Sequence, residues 1–224
     1  MLLKRGDYMA RNKYPEITEQ RILDASLKLF LEKGYEHTTI QDIIDELGDL
    51  TKGAIYHHFK SKSDIIEAVM NQLYSGQEKD YEDILNGPGT GLEKLRKLFI
   101  VSIKSPGNQM MINAAPHIMK NPRFLTKQLF ESLDNTVPHL ILPLIEQGIQ
   151  DGSVKTKYPK ELSEALLILC NFWMNPFIIQ NTAEELIRKT QFMKDLLDRL
   201  GMPLLDDEAL LVLESYRKQL EEKS

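Results

Sequence analysis

Cysteine is scarce in this sequence and long apolar runs are absent, and each absence excludes a class of protein. The 224 residues include one cysteine, Cys170, so no disulfide can form within the chain. A thiol in an apolar stretch is expected to be a small buried hydrophobe. The longest apolar run, Leu166 to Ile179, is broken by two asparagines and Pro176, which predicts that it does not cross a bilayer. The first residues lack the apolar segment of a secretory signal, so we expect a cytoplasmic protein.

Catalytic and metal-binding patterns are also missing. The sequence has no HExxH pair and no glycine-rich phosphate loop followed by Lys-Ser or Lys-Thr. No nucleophile stands beside a base at a diagnostic spacing. His117 and His139 are isolated, which is typical of structural histidines. We therefore expect no enzymatic activity, no cofactor and no metal site.

Strand patterns are missing as well, because no stretch alternates polar and apolar residues for long enough. An all-α fold is predicted, and 42% hydrophobic residues are enough for a packed core. The formal net charge of −5 argues by itself against nucleic-acid binding. Locally the pattern differs, since Lys52, Lys60 and Lys62 follow one another with no acid between them. A small basic face suits a protein that must not coat DNA indiscriminately, although such a cluster can also be ordinary solvated surface.

A helix-turn-helix is predicted from the stretch between residues 38 and 62. Ile40, Ile43, Ile44 and Leu47 form the stripe of an amphipathic helix. Thr39 and Asp42 have the spacing of a capping box at its start, and the Gly48-Asp49 pair ends it. A second short helix from Thr51 to Phe59 has the length to enter a DNA major groove.

Periodicity and breakers predict the remaining helices at residues 18–33, 63–85, 92–104, 109–119, 124–150, 159–179, 182–200 and 206–223. Thr18 is the expected N-cap of the first. Pro138 and Pro143 are expected to kink or split the helix that contains them.

Part of the chain resembles a known family. The stretch GYEHTTIQDIIDELG…KGAIYHHFKSKSDII is similar to the DNA-binding segment of tetracycline-repressor (TetR) family regulators, and KGxxYHHFxSK is its most specific part. The similarity covers residues 22–69 well and the rest loosely. The turn at residues 48–51 is one residue longer than the usual form. The resemblance implies an N-terminal three-helix DNA-binding domain (14–65) and a C-terminal helical domain for ligand binding and dimerisation (66–224).

Chemistry and the resemblance together suggest which side chains contact DNA. Hydroxyls at a helix N-terminus favour phosphate, a lysine at the start of the second helix can donate to guanine, and small residues let that helix sit deep in the groove. The candidates are Thr38, Thr39, Gln41, Lys52, Gly53, Ala54, Tyr56, His57 and Lys62. His58 is expected to be half-buried. In the N-terminal arm, Arg11 and Lys13 are candidate DNA contacts, a disordered tail is the alternative, and Met9 is a possible true start.

The resemblance also implies a dimer interface and an effector pocket in the second domain. The apolar helix from Glu161 and one of the helices after it are the dimer candidates. Methionines and aromatics make adaptable apolar walls, and the candidate pocket residues are Met110, Met111, Phe130, Phe172, Trp173 and Phe177. Any of these can instead be plain core.

Two functions remain open at this stage. One is a sequence-specific, homodimeric DNA-binding regulator, a repressor released from an inverted-repeat operator of double-stranded DNA by a small apolar or amphipathic effector. The alternative is an all-helical protein-interaction or lipid-binding module whose helix-turn-helix is only structural. The basic cluster and the adjacent Tyr56 and His57 favour the first.

Overall fold

The computed structural model describes residues 15–75, 78–114, 122–176 and 178–221. No residue in these ranges lies in a β-strand, and the fold is all-α, as predicted. The chain forms two compact units, the first ending at Val69 and the second beginning at Met70. The boundary predicted after residue 65 falls inside a helix. None of the described helices combines the length and apolar composition that a membrane crossing requires.

The first unit contains the short helices of the predicted helix-turn-helix. Its helices are α1 (Pro15–Lys33), α2 (Ile40–Leu47), α3 (Lys52–His58) and the start of α4 (Lys62–Ser75). Ile22, Phe30, Ile43 and Ile55 are completely buried and form its centre. The prediction that Thr18 caps α1 is wrong, because the helix begins at Pro15 and Thr18 is buried inside it. Proline is favoured in a first helical turn, where its missing N–H leaves no bond unmade.

Both helices of the helix-turn-helix begin at a threonine cap. The Thr39 side chain accepts from the Asp42 N–H, and the Asp42 carboxylate accepts from the Thr39 N–H, so the predicted capping box is confirmed. Gly48 ends α2 with a φ of 73°, a conformation that glycine adopts without strain. Thr51 then caps α3 by accepting from the N–H of Ala54.

The second unit carries the rest of α4 and a longer series of helices. These are α5 (Glu78–Asn86), α6 (Gly91–Ile103), α7 (Pro106–Ala114), α8 (Pro122–Glu131), α9 (Leu142–Asp151), α10 (Pro159–Ile168), α11 (Ala183–Arg199) and α12 (Asp207–Glu221). The connecting helix predicted at residues 63–85 is helical in its described parts, α4 and α5, and residues 76 and 77 between them lie outside the described residues. The capping box predicted at Thr182 and Glu185 is present at the start of α11.

Two π-helical segments interrupt this unit. The first, Ser132–Ile141, joins α8 to α9 and contains Pro138. The second, Leu169–Trp173, extends α10, and the Met174 N–H closes it on the Leu169 carbonyl five residues back. The wider π turn accommodates Pro138, which has no N–H to donate to the carbonyl four residues back. The helix predicted at residues 124–150 therefore changes its hydrogen-bond register around Pro138 rather than breaking. The helix predicted at residues 159–179 ends at Trp173.

Two glycines bring α6 and α9 into close contact. A Cβ added to Gly91 on α6 would lie 2.2 Å from the backbone nitrogen of Gly148 on α9. Asp151, at the end of α9, also accepts a hydrogen bond of 2.8 Å from the Gly91 N–H at the start of α6. The two helices therefore meet backbone to backbone, and around them lies the apolar core of the unit, including Leu95, Leu144 and Leu166.

Candidate nucleic-acid interface and effector cavity

Ion pairs from α1 hold α2 and the turn after it. Arg21 contacts Asp49 through two hydrogen bonds of 2.7 and 3.0 Å, and its guanidinium lowers the pKa of that carboxyl. Lys28 pairs with Glu46 at 2.6 Å, and Lys33 pairs with Asp42 at 2.8 Å. Asp49 lies in the turn at residues 48–51, so its contact with Arg21 fixes that turn to α1.

Seven of the predicted DNA contacts lie on α2, α3 and the cap before α2, and we call these seven the reading face. Its members are Thr39, Gln41, Lys52, Gly53, Ala54, Tyr56 and His57. All are exposed except the half-buried Ala54, and Tyr56 is 43% exposed despite its aromatic ring. The Lys52 ammonium lies 5.9 Å from the centre of the Tyr56 ring, one turn along the helix. α3 carries no acidic residue, so its exposed charge is positive.

Thr39 and Gln41 are accessible but already have local partners. The Thr39 hydroxyl and N–H both donate to the Asp42 carboxylate at 2.7 Å. A phosphate at this position therefore has to compete with a carboxylate for both donors. The Gln41 amide donates to Asp45 at 2.8 Å. Of the predicted contacts, those on α3 are the better placed to donate to DNA.

Thr38 is not available to DNA, which corrects the prediction for this residue. Its side chain is completely buried. The hydroxyl donates to the carbonyl of Gly34 at 2.9 Å and lies 3.3 Å from that of Leu29. Its backbone N–H donates to the Tyr35 carbonyl. Thr38 therefore closes the loop between α1 and α2, as expected for a buried hydroxyl, which needs an internal partner.

Lys62 is also turned inward, contrary to its predicted role at a phosphate. Its ammonium donates to the carbonyls of Tyr35 at 2.7 Å and Thr38 at 2.9 Å, and it lies 3.4 Å from that of Glu36. It also lies 4.2 Å from the centre of the Tyr35 ring, within range of a cation–π interaction. Partial burial lowers the pKa of Lys62. The residue fastens the start of α4 to the loop between α1 and α2.

His58 packs inward, as expected. Its side chain is 7% exposed, and its Nδ1 lies 3.8 Å from a Glu19 carboxylate oxygen. Its neighbour His57 is exposed, so the two adjacent histidines have different environments. Within the described part of the chain, no three His, Cys, Asp or Glu side chains are grouped to hold a metal ion. Arg11, Lys13 and Met9 lie outside the described residues.

The second unit contains a cavity of about 350 Å³ between α6, the second π segment, α11 and α12. Its apolar wall includes Phe99, Met174, Leu197 and Leu213. Polar side chains enter the same space: Ser102, Asn108, Gln128, Asn171, Asn175, Thr190, Gln191, Glu214, Tyr216 and Arg217. The volume is within the range of about 300–1,000 Å³ that is common for small-molecule sites.

Of the predicted pocket residues, the four whose side chains the structure describes do not line this cavity. Met110 is buried in packing, and Phe130 is 58% exposed. Phe172 is half-buried outside the wall. Trp173 packs edge-on against Phe192, with the Lys189 ammonium 4.7 Å from its ring. Phe177 and the side chain of Met111 lie outside the described residues.

A different sequence signal marks the cavity. Thr190 on α11 and Arg217 on α12 interrupt the apolar sides of two amphipathic helices. Polar residues on an otherwise apolar face indicate such a wall better than methionines and aromatics do, because the latter fill cores equally well.

Comparison with known proteins identifies the first unit. Residues 22–69, which include α2, α3 and most of α1, match the family model described as bacterial regulatory proteins, tetR family. The first unit carries a DNA-binding segment of the TetR type. This regulator is 28% identical over 146 residues to the HTH-type transcriptional repressor KstR2 of Mycolicibacterium smegmatis, a match that covers 63% of this chain and 69% of that protein. It is 37% identical over 100 residues to the regulator AcrR of Shigella flexneri, covering 43% and 46% of the two chains.

The solved structures agree with this fold. A TetR/AcrR-family regulator from Thermobifida fusca superposes with a TM-score of 0.55 at 25% identity, covering 79% of this chain and 96% of that one. The regulator is therefore a DNA-binding protein, and the relatives give no support to the reading in which its helix-turn-helix is only structural.

Proposed function

We propose that this regulator is a ligand-responsive repressor that acts in the cytoplasm. It binds an inverted-repeat operator as a homodimer and leaves it when a small effector fills the cavity of the second unit. The observation that carries the proposal is the exposure of Lys52, Gly53, Tyr56 and His57 on a short helix with no acidic residue. Buried contacts and ion pairs to α1 hold that helix and its turn in place, as a rigid reading element requires.

The chemistry of α3 suits a major groove. A helix of 7 residues is about 10 Å long, and the groove is about 12 Å wide. Lys52, in its first turn, donates to guanine O6 or N7. Gly53 and Ala54 lack bulk, so the backbone approaches the base edges, and the Ala54 methyl can meet a thymine methyl. Tyr56 and His57 donate to phosphates on either side.

Dimerisation is supported by exposed apolar side chains in the second unit. Along α10 and the π segment after it, three apolar residues recur at helical spacing: Ala165 and Ile168 are exposed, Ile168 to 42%, and Phe172 is half-buried. Phe192 on α11 is exposed beside Trp173, at the end of that π segment. A second copy of the chain covers such a stripe. Two reading helices about 34–36 Å apart then meet successive major grooves of an inverted repeat.

Release follows from linkage between the two sites. An effector weakens DNA binding only through its differential affinity for the free and DNA-bound conformations. The cavity in the second unit provides the site for this effector. Because a dimer bound at a promoter excludes polymerase, repression is the expected outcome of DNA binding.

Selection of sites from a random duplex library at physiological salt tests the proposal. We expect an inverted repeat to be enriched, which reports both DNA recognition and two-fold symmetry. Lys52→Ala should lose about 1–3 kcal/mol of binding free energy and relax the preference at one position of each half-site. Lys157→Ala, at an exposed lysine of the second unit, is the matched control and should leave the motif unchanged. No enrichment from protein refolded after removal of any bound effector would overturn the proposal.

A further inference from the structure

The polar groups of the cavity indicate the chemical class of its ligand. The inference rests on the proposed function, in which this cavity binds the effector. Three of these groups are informative, because the hydrogen bonds that they make or lack determine which ligand groups can bind beside them. They are the Gln128 amide, the Arg217–Glu214 pair and the Cys170 thiol.

Gln128 presents a buried acceptor without a donor. Its side-chain oxygen Oε1 is inaccessible to solvent and accepts no hydrogen bond in the structure. The same side chain belongs to the cavity wall, where it comes from α8, and rotation about its last torsion turns Oε1 toward a bound ligand. A buried carbonyl that has lost water and gained no donor is unfavourable, so it is satisfied by a ligand that carries an O–H or N–H. An acceptor-only ligand leaves it unpaired.

The charged groups of the wall neutralise each other. The Arg217 guanidinium donates to both Glu214 carboxylate oxygens, at 2.9 Å from Nε and 2.6 Å from its terminal nitrogen. The arginine lowers the pKa of Glu214, so the carboxylate remains ionised at neutral pH. The pair adds no net charge to the wall, so a charged ligand of either sign is attracted by one member and repelled by the other. The wall therefore favours a neutral molecule.

The thiol in the wall does not offer covalent capture. Burial raises the pKa of Cys170 to about 12, so the sulfur remains protonated at neutral pH. A protonated thiol is a poor nucleophile toward electrophiles. The ligand is consequently held by packing against the apolar wall and by hydrogen bonds.

We propose that the effector is a neutral amphipathic molecule with an apolar skeleton and a hydroxyl group that donates to Gln128 Oε1. The skeleton packs against Phe99, Met174 and Leu213. The hydroxyl supplies the donor that the buried amide oxygen lacks.

Three probes that share a ten-carbon chain test this proposal: 1-decanol, decyl methyl ether and decanoate. Their affinities for the full-length protein are measured by calorimetry and by the fluorescence of Trp173, the one tryptophan of the chain. We expect 1-decanol to bind about tenfold more tightly than the ether, which cannot donate, and at least about tenfold more tightly than decanoate. In Gln128→Leu, the alcohol and the ether should bind within about twofold of each other, with the ether affinity unchanged.

Gln191→Leu is the matched control. Gln191 is also an amide of the cavity wall, but its side chain donates to Asp195 at 2.9 Å. This variant should keep the alcohol-to-ether ratio of the natural sequence. Tightest binding by decanoate, an unchanged ratio in Gln128→Leu, or binding of none of the three probes would each overturn the inference. The same preparations are tested on duplex DNA, and retained DNA binding shows that the repressor proposal stands even when the ligand class is wrong.

Discussion

The Lys62 ammonium donates a 2.7 Å hydrogen bond to the carbonyl of Tyr35, 27 residues earlier in the chain. A second carbonyl, that of Thr38, accepts from the same group at 2.9 Å. A lysine in a basic DNA-binding segment is thus used as an internal clamp. It fixes the loop between α1 and α2, which ends at the N-cap of α2, against the start of α4.

This geometry predicts an unusual salt behaviour for Lys62→Met. The variant should be destabilised by about 1–3 kcal/mol because the charged hydrogen bonds to the carbonyls are lost. Its operator affinity should fall because the helix-turn-helix is less well positioned. The slope of log K against log salt should stay at the value of the natural sequence, since no phosphate contact is removed.

Lys52→Met is the matched comparison for that measurement, because it removes an exposed lysine of the reading face. Its slope should decrease by about 0.9 if Lys52 neutralises a phosphate on DNA, and by less if it contacts only bases. Affinities are measured by fluorescence anisotropy over a series of salt concentrations at which circular dichroism shows folded protein. A decrease of about 0.9 in the Lys62 variant would mean that this lysine contacts DNA after all.

Gly53→Ala should separate stability from DNA binding. A Cβ at this position meets only the Thr51 hydroxyl, at 3.8 Å, so the free protein has room for it. Replacing glycine by alanine inside a helix should add about 0.5–1 kcal/mol to stability. Operator affinity should nevertheless fall about tenfold, because the methyl lies between α3 and the groove floor. Thermal unfolding and operator binding are measured together, and unchanged affinity would mean that α3 does not approach the bases at Gly53.

Gly91→Ala should destabilise the protein, whereas Gly53→Ala should stabilise it. The new methyl would lie 2.2 Å from the Gly148 nitrogen and 2.3 Å from the Leu144 carbonyl oxygen, so α6 and α9 must move apart. We expect a loss of about 3 kcal/mol or more in the free energy of unfolding of the second unit. Urea titration of Trp173 fluorescence reports this change. A small effect would show that the two helices slide easily past each other.

The capping box of α2 predicts a dependence of stability on pH. Hydrogen bonds from Lys33 and Thr39 lower the pKa of Asp42 from 3.8 to about 2. Because the pKa is lower in the folded than in the unfolded state, the stabilisation is complete above pH 3.8 and is lost as the pH falls through about 2. Asp42→Asn should therefore be less stable at neutral pH, and the difference from the natural sequence should close on acidification.

Asp45→Asn, on the same helix, is the control for this pH experiment. Its carboxylate accepts from Gln41 and takes no part in the capping box. This variant should keep the acid-dependent loss seen in the natural sequence. Chemical unfolding at several pH values measures both variants. If Asp42→Asn and Asp45→Asn lost stability equally on acidification, the capping box would not be the source of the pH dependence.

Exposed apolar side chains predict how the proposed dimer can be broken. Ile168→Lys should shift the protein to monomer without unfolding it, because the side chain is already 42% exposed. Leu211→Lys introduces the same charge at another exposed apolar residue, on α12, whose side chain is 71% exposed. This control variant should leave the oligomeric state unchanged. Sedimentation at several concentrations distinguishes these outcomes. Equal behaviour of the two variants would place the dimer contact elsewhere.

Local patterns were sufficient to predict the elements of the DNA-binding unit. The stripe from Ile40 to Leu47 and the Thr39–Asp42 box depend only on residues within one or two turns, and the structure has both. The inward orientation of Thr38 and Lys62 depends on carbonyls contributed by a distant loop. Sequence spacing carries no information about such partners. The polar side chains of Thr38 and Lys62 were compatible with either role.

The cavity was missed for a related reason. Apolar periodicity shows which side of a helix leaves water, but it does not separate a residue in packed core from one that faces an empty space. Met110 and Trp173 satisfy the pattern and pack against protein. The cavity is defined by polar residues such as Gln128 and Arg217, whose positions become meaningful only when α8, α11 and α12 are brought together.

The protonated state of the half-buried Cys170 also makes this protein convenient for spectroscopy. At neutral pH its protonated thiol should react slowly with maleimides and methanethiosulfonates. A cysteine introduced at an exposed position of α3 can then be labelled selectively without first replacing the native one. In a dimer, two such spin labels form a single pair, and their separation reports the distance between the reading helices directly, with and without effector.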